Sequence, residues 1–139
     1  MTKAARVSRK KTEYAHTALL DAMIKGVQEK KARNITVMDL RNLDGAPADF
    51  FIVCSGDSGT QVEAIARSIE EQVEKDCGEQ PAHIEGTKNA QWVLIDYIAV
   101  VAHIFQPEQR DYYGLEHLWG DAVITVLNEN QNDSPVFNR

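Results

Sequence analysis

The chain has 139 residues, a length that fits one domain with a core of its own. Its hydrophobic fraction of 43% and charged fraction of 26% are those of an ordinary globular protein and exclude a mainly disordered chain. No apolar run approaches the ~20 residues that cross a bilayer, and the N-terminus lacks the apolar stretch of a secretory signal. We therefore expect a bacterial cytoplasmic protein without a membrane partner.

The net charge of −6 is distributed unevenly along the chain. Residues 1–11 carry five basic side chains and no acidic one, so the remaining residues together carry −11. An acidic body repels phosphate backbones, which argues against extensive nucleic-acid binding by the folded domain. A basic protein is the electrostatically favoured partner. We interpret residues 1–11 as a basic flexible tail, which could make a minor contact with RNA.

Hydrophobic periodicity predicts a helix and two strands at the start of the chain. Residues 12–31 place apolar side chains on one stripe, as an amphipathic helix does. The stripe consists of Leu20, Met23, Ile24 and Val27. Residues 34–40 alternate like a strand that is partly covered on both faces. Residues 49–54 are apolar almost throughout, which predicts a fully buried strand.

The second helix has the clearest boundaries. Ser58 and Gln61 form a capping-box pattern at its start, and Gly78 is a typical residue just beyond a helix end. Between them the apolar residues fall at helical spacing. They are Val62, Ile65, Ala66, Ile69 and Val73.

The second half of the chain predicts three strands and a short helix. Residues 82–85 form a short strand, residues 92–97 and 99–105 form a hairpin, and residues 109–118 form the helix. The order αββαβββα indicates one α/β domain with a five-stranded mixed sheet and flanking helices, in two or three layers. We place this domain at residues 12–122 and treat residues 123–139 as a C-terminal extension, frayed at its polar end.

The hairpin predicts which side chains share a face of the sheet. A turn centred between Tyr97 and Ile98 pairs Trp92 with His103, and side chains then alternate between the two faces. One face is uniformly aliphatic and must be core. The other face mixes aromatic, aliphatic and polar side chains: Trp92, Leu94, Asp96, Val101, His103 and Phe105.

A mixed aromatic and polar face is typical of a partner-binding patch. We predict that this face, together with Tyr97, binds a macromolecular partner and that Trp92 is its anchor. The alternative is that the C-terminal helix folds over the face, which would make Trp92 a partly buried core residue.

No residue pattern points to catalysis, a metal or a cofactor. Asp57 lies between a strand and a helix start and is interpreted as part of a helix cap. His83 and Glu85 share a strand face, but a metal site needs three or four converging ligands. Cys54 and Cys77 lack metal-ligand spacing and are interpreted as structural thiols. No Ser or Cys has an assignable His base, so we predict that the protein is not an enzyme.

Seven segments between Asp39 and Asp121 occur in an order that resembles one known family. They are Asp39-Leu-Arg, Ala48-Asp-Phe-Phe-Ile-Val-Cys-Ser-Gly56, Ala64-Ile-Ala66, His83-Ile-Glu-Gly86, Trp92-Val-Leu-Ile-Asp-Tyr97, Val101-Ala-His-Ile-Phe105 and Arg110-x-Tyr-Tyr-x-Leu-Glu-x-Leu-Trp-Gly-Asp121. Each segment alone is weak, but together they are similar to the ribosome silencing factors, also called Iojap-related proteins.

The resemblance implies a fold related to nucleotidyltransferases without their catalytic carboxylates. It also implies binding to the large ribosomal subunit through ribosomal protein L-fourteen, steric exclusion of the small subunit and repression of translation. In the family the contact surface includes the Trp that opens the W-V-L-x-D-Y strand, which is Trp92 here. Free members of the family are often homodimers, so we expect a homodimer.

The sequence departs from the family at the hairpin turn, where Ile98 and Ala99 replace a Gly or Asn and an acidic residue. Neither residue favours positive φ, so a loop longer than two residues is expected. Two other functions stay open at this point. They are a non-catalytic dimeric adaptor with a non-ribosomal partner and an enzyme related to nucleotidyltransferases.

Overall fold

The computed structural model describes residues 18–127, which form one α/β unit. Its helices are α1 (residues 18–29 of the described part), α2 (Gly59–Cys77), α3 (Pro107–Tyr113) and α4 (Leu115–Leu118). Its strands are β1 (Arg33–Asp39), β2 (Phe50–Ser55), β3 (His83–Glu85), β4 (Trp92–Asp96), β5 (Val100–Phe105) and β6 (Val123–Val126). The predicted helix start at residue 12, the basic tail and the polar end from residue 128 lie outside the described residues.

The strands form one mixed sheet in the order β3-β4-β5-β2-β1-β6. The central pair β2 and β5 is parallel, and the other neighbouring pairs are antiparallel. The mixed sheet is confirmed, but the prediction of five strands was wrong, because the described residues form six. The additional strand, β6, lies in the segment that we assigned to a C-terminal extension. Its four residues, Val-Ile-Thr-Val, are mostly exposed at the sheet edge. They do not alternate regularly between apolar and polar, which is the pattern that predicts a half-buried strand.

Helices α1 and α2 cover one face of the sheet, and the larger core lies between them and the strands. The predicted apolar stripe of α1 is confirmed, because Leu20, Met23, Ile24 and Val27 are fully buried. The predicted boundaries of α2 are confirmed as well. The Ser58 hydroxyl accepts a hydrogen bond from the Gln61 backbone N–H at 3.2 Å, and Gly78 ends the helix with φ 66°.

The register of the β4–β5 hairpin differs from the prediction by two residues. Trp92 is opposite Phe105, Leu94 is opposite His103 and Asp96 is opposite Val101. Residues 97–99 connect the strands, which is the longer loop that Ile98 and Ala99 predicted. Ile98 nevertheless adopts φ 72°, and the Asp96 carboxylate accepts its N–H at 2.6 Å, which tightens the turn.

The helix predicted at residues 109–118 is two short helices. The break lies at Gly114, whose φ of 55° ends α3 and turns the chain into α4. Together α3 and α4 form an arm on the sheet face opposite α1 and α2, where Leu115 enters a second, smaller core with Phe51 and Phe105. This α3–α4 arm is the third layer of the domain, and it covers only part of its face.

No helix within residues 18–127 is long and apolar enough to span a bilayer. The relation of the fold to nucleotidyltransferases stays a prediction.

Candidate docking face

The sheet face opposite α1 and α2 collects the predicted mixed residues. We call Trp92, Leu94, Asp96, Val101, His103 and Phe105 the docking face. The pairing of β4 with β5 places all six on this side. The predicted register was wrong by two residues, and a shift of two residues leaves each side chain on the same face of the sheet. Tyr97, the seventh predicted residue, is not brought to this face. It belongs to the core under α1 and α2, and burial and nearby carboxylates of Glu70 and Glu79 raise the pKa of its hydroxyl.

The docking face is buried at one end and open at the other. Phe105, His103 and Val101 are buried, whereas Trp92, Leu94 and Asp96 are half-buried. The α3–α4 arm covers the buried part together with apolar residues of the loop before β2. A cover by the C-terminal helix is what the alternative interpretation of the sequence anticipated. The open end lies toward β3, where the sheet has its edge.

Trp92 lies where the covered and open parts of the docking face meet. Its indole stacks on the Phe105 ring at a centroid distance of 4.9 Å. From the arm, the Tyr113 ring approaches the same indole to 4.6 Å. Tyr113 is 48% exposed and its neighbour Tyr112 is 83% exposed, so the two tyrosines extend the aromatic surface beyond the sheet.

Beneath Trp92, His103 is buried, with only 4% of the residue exposed. Trp92 Nε1 donates a hydrogen bond to His103 Nδ1 at 3.1 Å. An indole N–H can only donate, so Nδ1 is the acceptor and the neutral imidazole carries its proton on Nε2. Burial lowers the pKa of His103 to about 4, because the charged ring would lose its hydration. His103 therefore acts as a neutral support for the indole.

The open edge of the docking face is acidic. Strand β3 pairs Glu85 with Leu94 and His83 with Asp96, so these side chains lie on the same side of the sheet. The Glu85 carboxylate contacts His83 Nε2 at 2.5 Å, and both side chains are exposed. A half-exposed apolar centre with a charged rim is the usual anatomy of a protein–protein interface.

Arg110 holds the α3–α4 arm onto the sheet. Its guanidinium donates to the Glu116 carboxylate within the arm and to three groups of β1 and β2. The sequence segments quoted above contain Arg110, but nothing in the periodicity assigns it a role. Its partners on the sheet lie 55–76 residues away, so local patterns cannot reveal them.

Gly86 is a second residue whose role the sequence did not reveal. It follows β3 with φ 87°, and a Cβ atom there would lie 2.0 Å from the Trp92 carbonyl oxygen. Glycine is therefore required for β3 to turn closely past the start of β4.

Comparisons with known proteins give this site a context. The family model described as "Ribosomal silencing factor during starvation" matches residues 12–137. The chain belongs to the ribosomal silencing factor family. The silencing factor of Bacillus subtilis is 41% identical over 104 residues, which cover 75% of this chain and 86% of that protein. That of Halalkalibacterium halodurans is 40% identical over 109 residues, which cover 78% and 92% of the two chains.

Solved structures agree with the family assignment. A crystal structure from Bacillus halodurans has a TM-score of 0.65 and 34% identity, and the match covers 79% of this chain and 96% of that one. An X-ray structure from Chromobacterium violaceum has a TM-score of 0.66 and 32% identity, with coverage of 78% and 85%. The predicted family is confirmed, and with it a role in ribosome silencing and translational regulation.

Asp57 and Cys54 both have structural surroundings. Within residues 18–127, no three His, Cys, Asp or Glu side chains converge closely enough to hold a metal ion. Asp57 lies at the start of α2, where its backbone N–H donates to the Gln61 side chain at 2.7 Å, as the interpretation of a helix cap predicts. Cys54 is buried in the core under the helices.

Proposed function

We propose that this silencing factor binds ribosomal protein L-fourteen on the large subunit with its docking face and thereby blocks joining of the small subunit. A bound factor of this kind represses translation by occupying space at the subunit interface and needs no cofactor and no catalysis. The observation that carries the proposal is the half-buried Trp92, which lies between Phe105 of the sheet and the exposed Tyr113.

The packing of Trp92 supports its role as an anchor. Large aromatic side chains near the centre of a patch dominate binding energies when a partner removes them from water. Trp92 is already fixed by its stack on Phe105 and by its hydrogen bond to His103. Binding therefore costs little side-chain entropy at this residue.

Charge supports a basic partner. The rim of the docking face carries Glu85 and Asp96, and the chain beyond residue 11 carries −11 in total, given a net −6 and five basic residues at the start. Complementary electrostatic potentials accelerate the encounter of the two proteins and weaken the binding of acidic competitors. Contact of the basic tail with ribosomal RNA would be a minor addition and remains part of the proposal.

The test is co-sedimentation of the Trp92→Ala protein with purified large subunits. Loss of an interface anchor is expected to weaken binding by roughly 2–4 kcal/mol. The matched control is Val126→Ala, which removes an exposed apolar side chain on the opposite edge strand of the same sheet. A subunit-joining assay with both variants then connects binding to silencing.

Undiminished co-migration of a folded Trp92→Ala protein with the large subunit would refute the proposed docking face. Normal binding to the large subunit together with unhindered subunit joining would refute the blocking mechanism instead. If the chain bound no ribosomal subunit at all, a non-ribosomal adaptor would become the better proposal.

We also propose that the free protein is a homodimer. Sedimentation equilibrium of the wild type gives the oligomeric state directly. If the wild type is dimeric, a Trp92→Ala variant that is monomeric and also loses binding to the large subunit would show that dimerisation and ribosome binding use the same docking face.

A further inference from the structure

The hydrophobic attachment of the α3–α4 arm to the sheet depends on a few side chains, among them Leu115 in the second core and Trp119 against Phe51. Helix α3 has no buried residue, and in α4 only Leu115 is buried. Tyr112 and Leu118 are 83% and 69% exposed, so much of the apolar surface of the arm faces solvent. An element with few buried apolar contacts opens at low free-energy cost unless other interactions hold it.

Arg110 supplies those interactions. Within the arm, Nε and Nη2 donate to the two carboxylate oxygens of Glu116 at 3.2 and 2.8 Å. Toward the sheet, Nη1 donates to the Asn34 carbonyl at 2.7 Å and to Ser55 Oγ at 2.9 Å, and Nη2 donates to Thr36 Oγ1 at 3.2 Å. A guanidinium has five N–H donors, so each has a partner in this arrangement.

The sheet is shaped to receive this guanidinium. The register of β1 against β2 shifts between Arg33 and Thr36, and Asn34 adopts φ 52° within that irregular stretch. The carbonyl that meets Arg110 belongs to Asn34. Local irregularities of this kind change the direction of individual groups in a sheet and are common beside functional sites.

The arm in turn carries Tyr113, three residues after Arg110, against the indole of Trp92. We infer that Arg110 is a positioning residue of the docking face, which fixes the arm so that Tyr113 and Trp92 form one preordered aromatic surface. The inference rests on the proposed function for its consequence in binding, but not for its effect in the free protein.

Arg110→Lys is the first test, because lysine keeps the charge and loses the planar five-donor fork. In ¹H–¹⁵N spectra of the free chain, the two tryptophans give two indole signals, and Trp119→Phe identifies that of Trp92. We expect Arg110→Lys to shift the Trp92 indole signal. Amide exchange at Gly114 and Trp119, in the arm, should accelerate about tenfold or more, while exchange in β2 and β5 stays unchanged.

Two further variants keep this test decisive. Arg67→Lys makes the same change at an exposed position of α2, in the other layer, and should leave both readouts unchanged. Glu116→Gln removes the charge that partners Arg110 within the arm and should move the Trp92 signal in the same direction by less. If the Arg110→Lys protein does not fold, the Glu116→Gln protein takes its place in the test. An unchanged Trp92 signal and unchanged arm exchange in the folded variant overturn the inference.

A double-mutant cycle measures the consequence for the large subunit. If Arg110 acts through Tyr113, adding Arg110→Lys to a Tyr113→Ala protein should weaken binding no further. The single effects would then be non-additive by about threefold to tenfold. Additive effects would overturn the route through Tyr113. If Trp92→Ala leaves binding intact, the proposed function fails, whereas the spectra of the free protein still decide the role of Arg110.

Discussion

Trp92 Nε1 donates to His103 Nδ1 at 3.1 Å, so a half-exposed indole is tied to a ring that is almost completely buried. The bond crosses from β4 to β5 between residues that are not directly opposite, because Trp92 is opposite Phe105 and His103 is opposite Leu94. Diagonal neighbours of this kind are within reach of long aromatic side chains. The bond therefore fixes the plane of the indole before any partner arrives.

Replacing Trp92 with Phe should destabilise the fold although the aromatic stack on Phe105 is kept. The change leaves His103 Nδ1 buried without a donor, which costs about 1–3 kcal/mol. Urea denaturation followed by circular dichroism measures this loss. In a His103→Phe background the same Trp92→Phe change should cost clearly less, because no buried acceptor remains. Equal costs in both backgrounds would show that the hydrogen bond contributes nothing.

The stability of the fold should depend on pH through His103. Its pKa is about 4 in the folded chain and 6.5 in an unfolded chain, so between these values the unfolded state binds more protons. The free energy of unfolding should therefore fall as pH decreases from about 6.5 to about 4, by up to about 3 kcal/mol. Above pH 6.5 this contribution should be fully present.

Carboxylates also titrate in this range, so the His103 contribution is read as a difference between proteins. Denaturation of His103→Gln from pH 4 to pH 7.5 should show a flatter profile than the wild type, since the glutamine amide does not titrate. Parallel profiles for wild type and His103→Gln would contradict the assignment of His103.

Periodicity predicted the faces of the hairpin better than its pairing. The expected pairing of Trp92 with His103 was wrong by two residues, yet the face prediction is confirmed. Side chains repeat every two residues along a strand, so a shift of two leaves each side chain on its face. The turn at Ile98 decides the pairing, and a non-glycine residue at positive φ is not predictable from propensity.

The covering of the docking face could not be predicted in the same way. The arm is held by a guanidinium whose partners Thr36 and Ser55 lie far away in sequence. Its aromatic contact between Tyr113 and Trp92 depends on the break at Gly114, which sequence patterns merged into one helix. Local signals therefore predicted which side chains share the face, whereas its cover depends on contacts between residues that are far apart in the sequence.

The two cysteines should differ sharply in reactivity. Burial raises the pKa of Cys54 to about 12, so the thiol is both shielded and neutral at pH 8. Cys77 is only partly buried, at the end of α2. A chromogenic disulfide reagent at pH 8 should titrate one thiol per native chain and two in denaturant. Cys77→Ser should titrate none while native, and a second fast native thiol in the wild type would contradict the burial of Cys54.

Gly26 of α1 should be sensitive to a single added methyl group. A Cβ atom there would lie 2.7 Å from Ile69 Cα and 2.9 Å from the Ser68 carbonyl oxygen, which are both backbone atoms of α2. The Ser68 hydroxyl also donates to the Gly26 carbonyl at 2.7 Å, so the two helices are in close contact at this point. Helix propensity alone predicts that Gly26→Ala stabilises the chain by about 1 kcal/mol.

The steric contact predicts that Gly26→Ala destabilises the chain instead. Gly26→Ala must push α1 away from α2 and should lower the free energy of unfolding by about 1–3 kcal/mol. Thermal and urea denaturation measure the sign directly. Gly78→Ala is the matched comparison, because a Cβ atom there meets nothing within 4 Å and only its φ of 66° opposes the change. Its cost should be about 1–2 kcal/mol, from the left-handed backbone. A Gly26→Ala protein more stable than wild type would mean that the contact between α1 and α2 is looser than 2.7 Å implies.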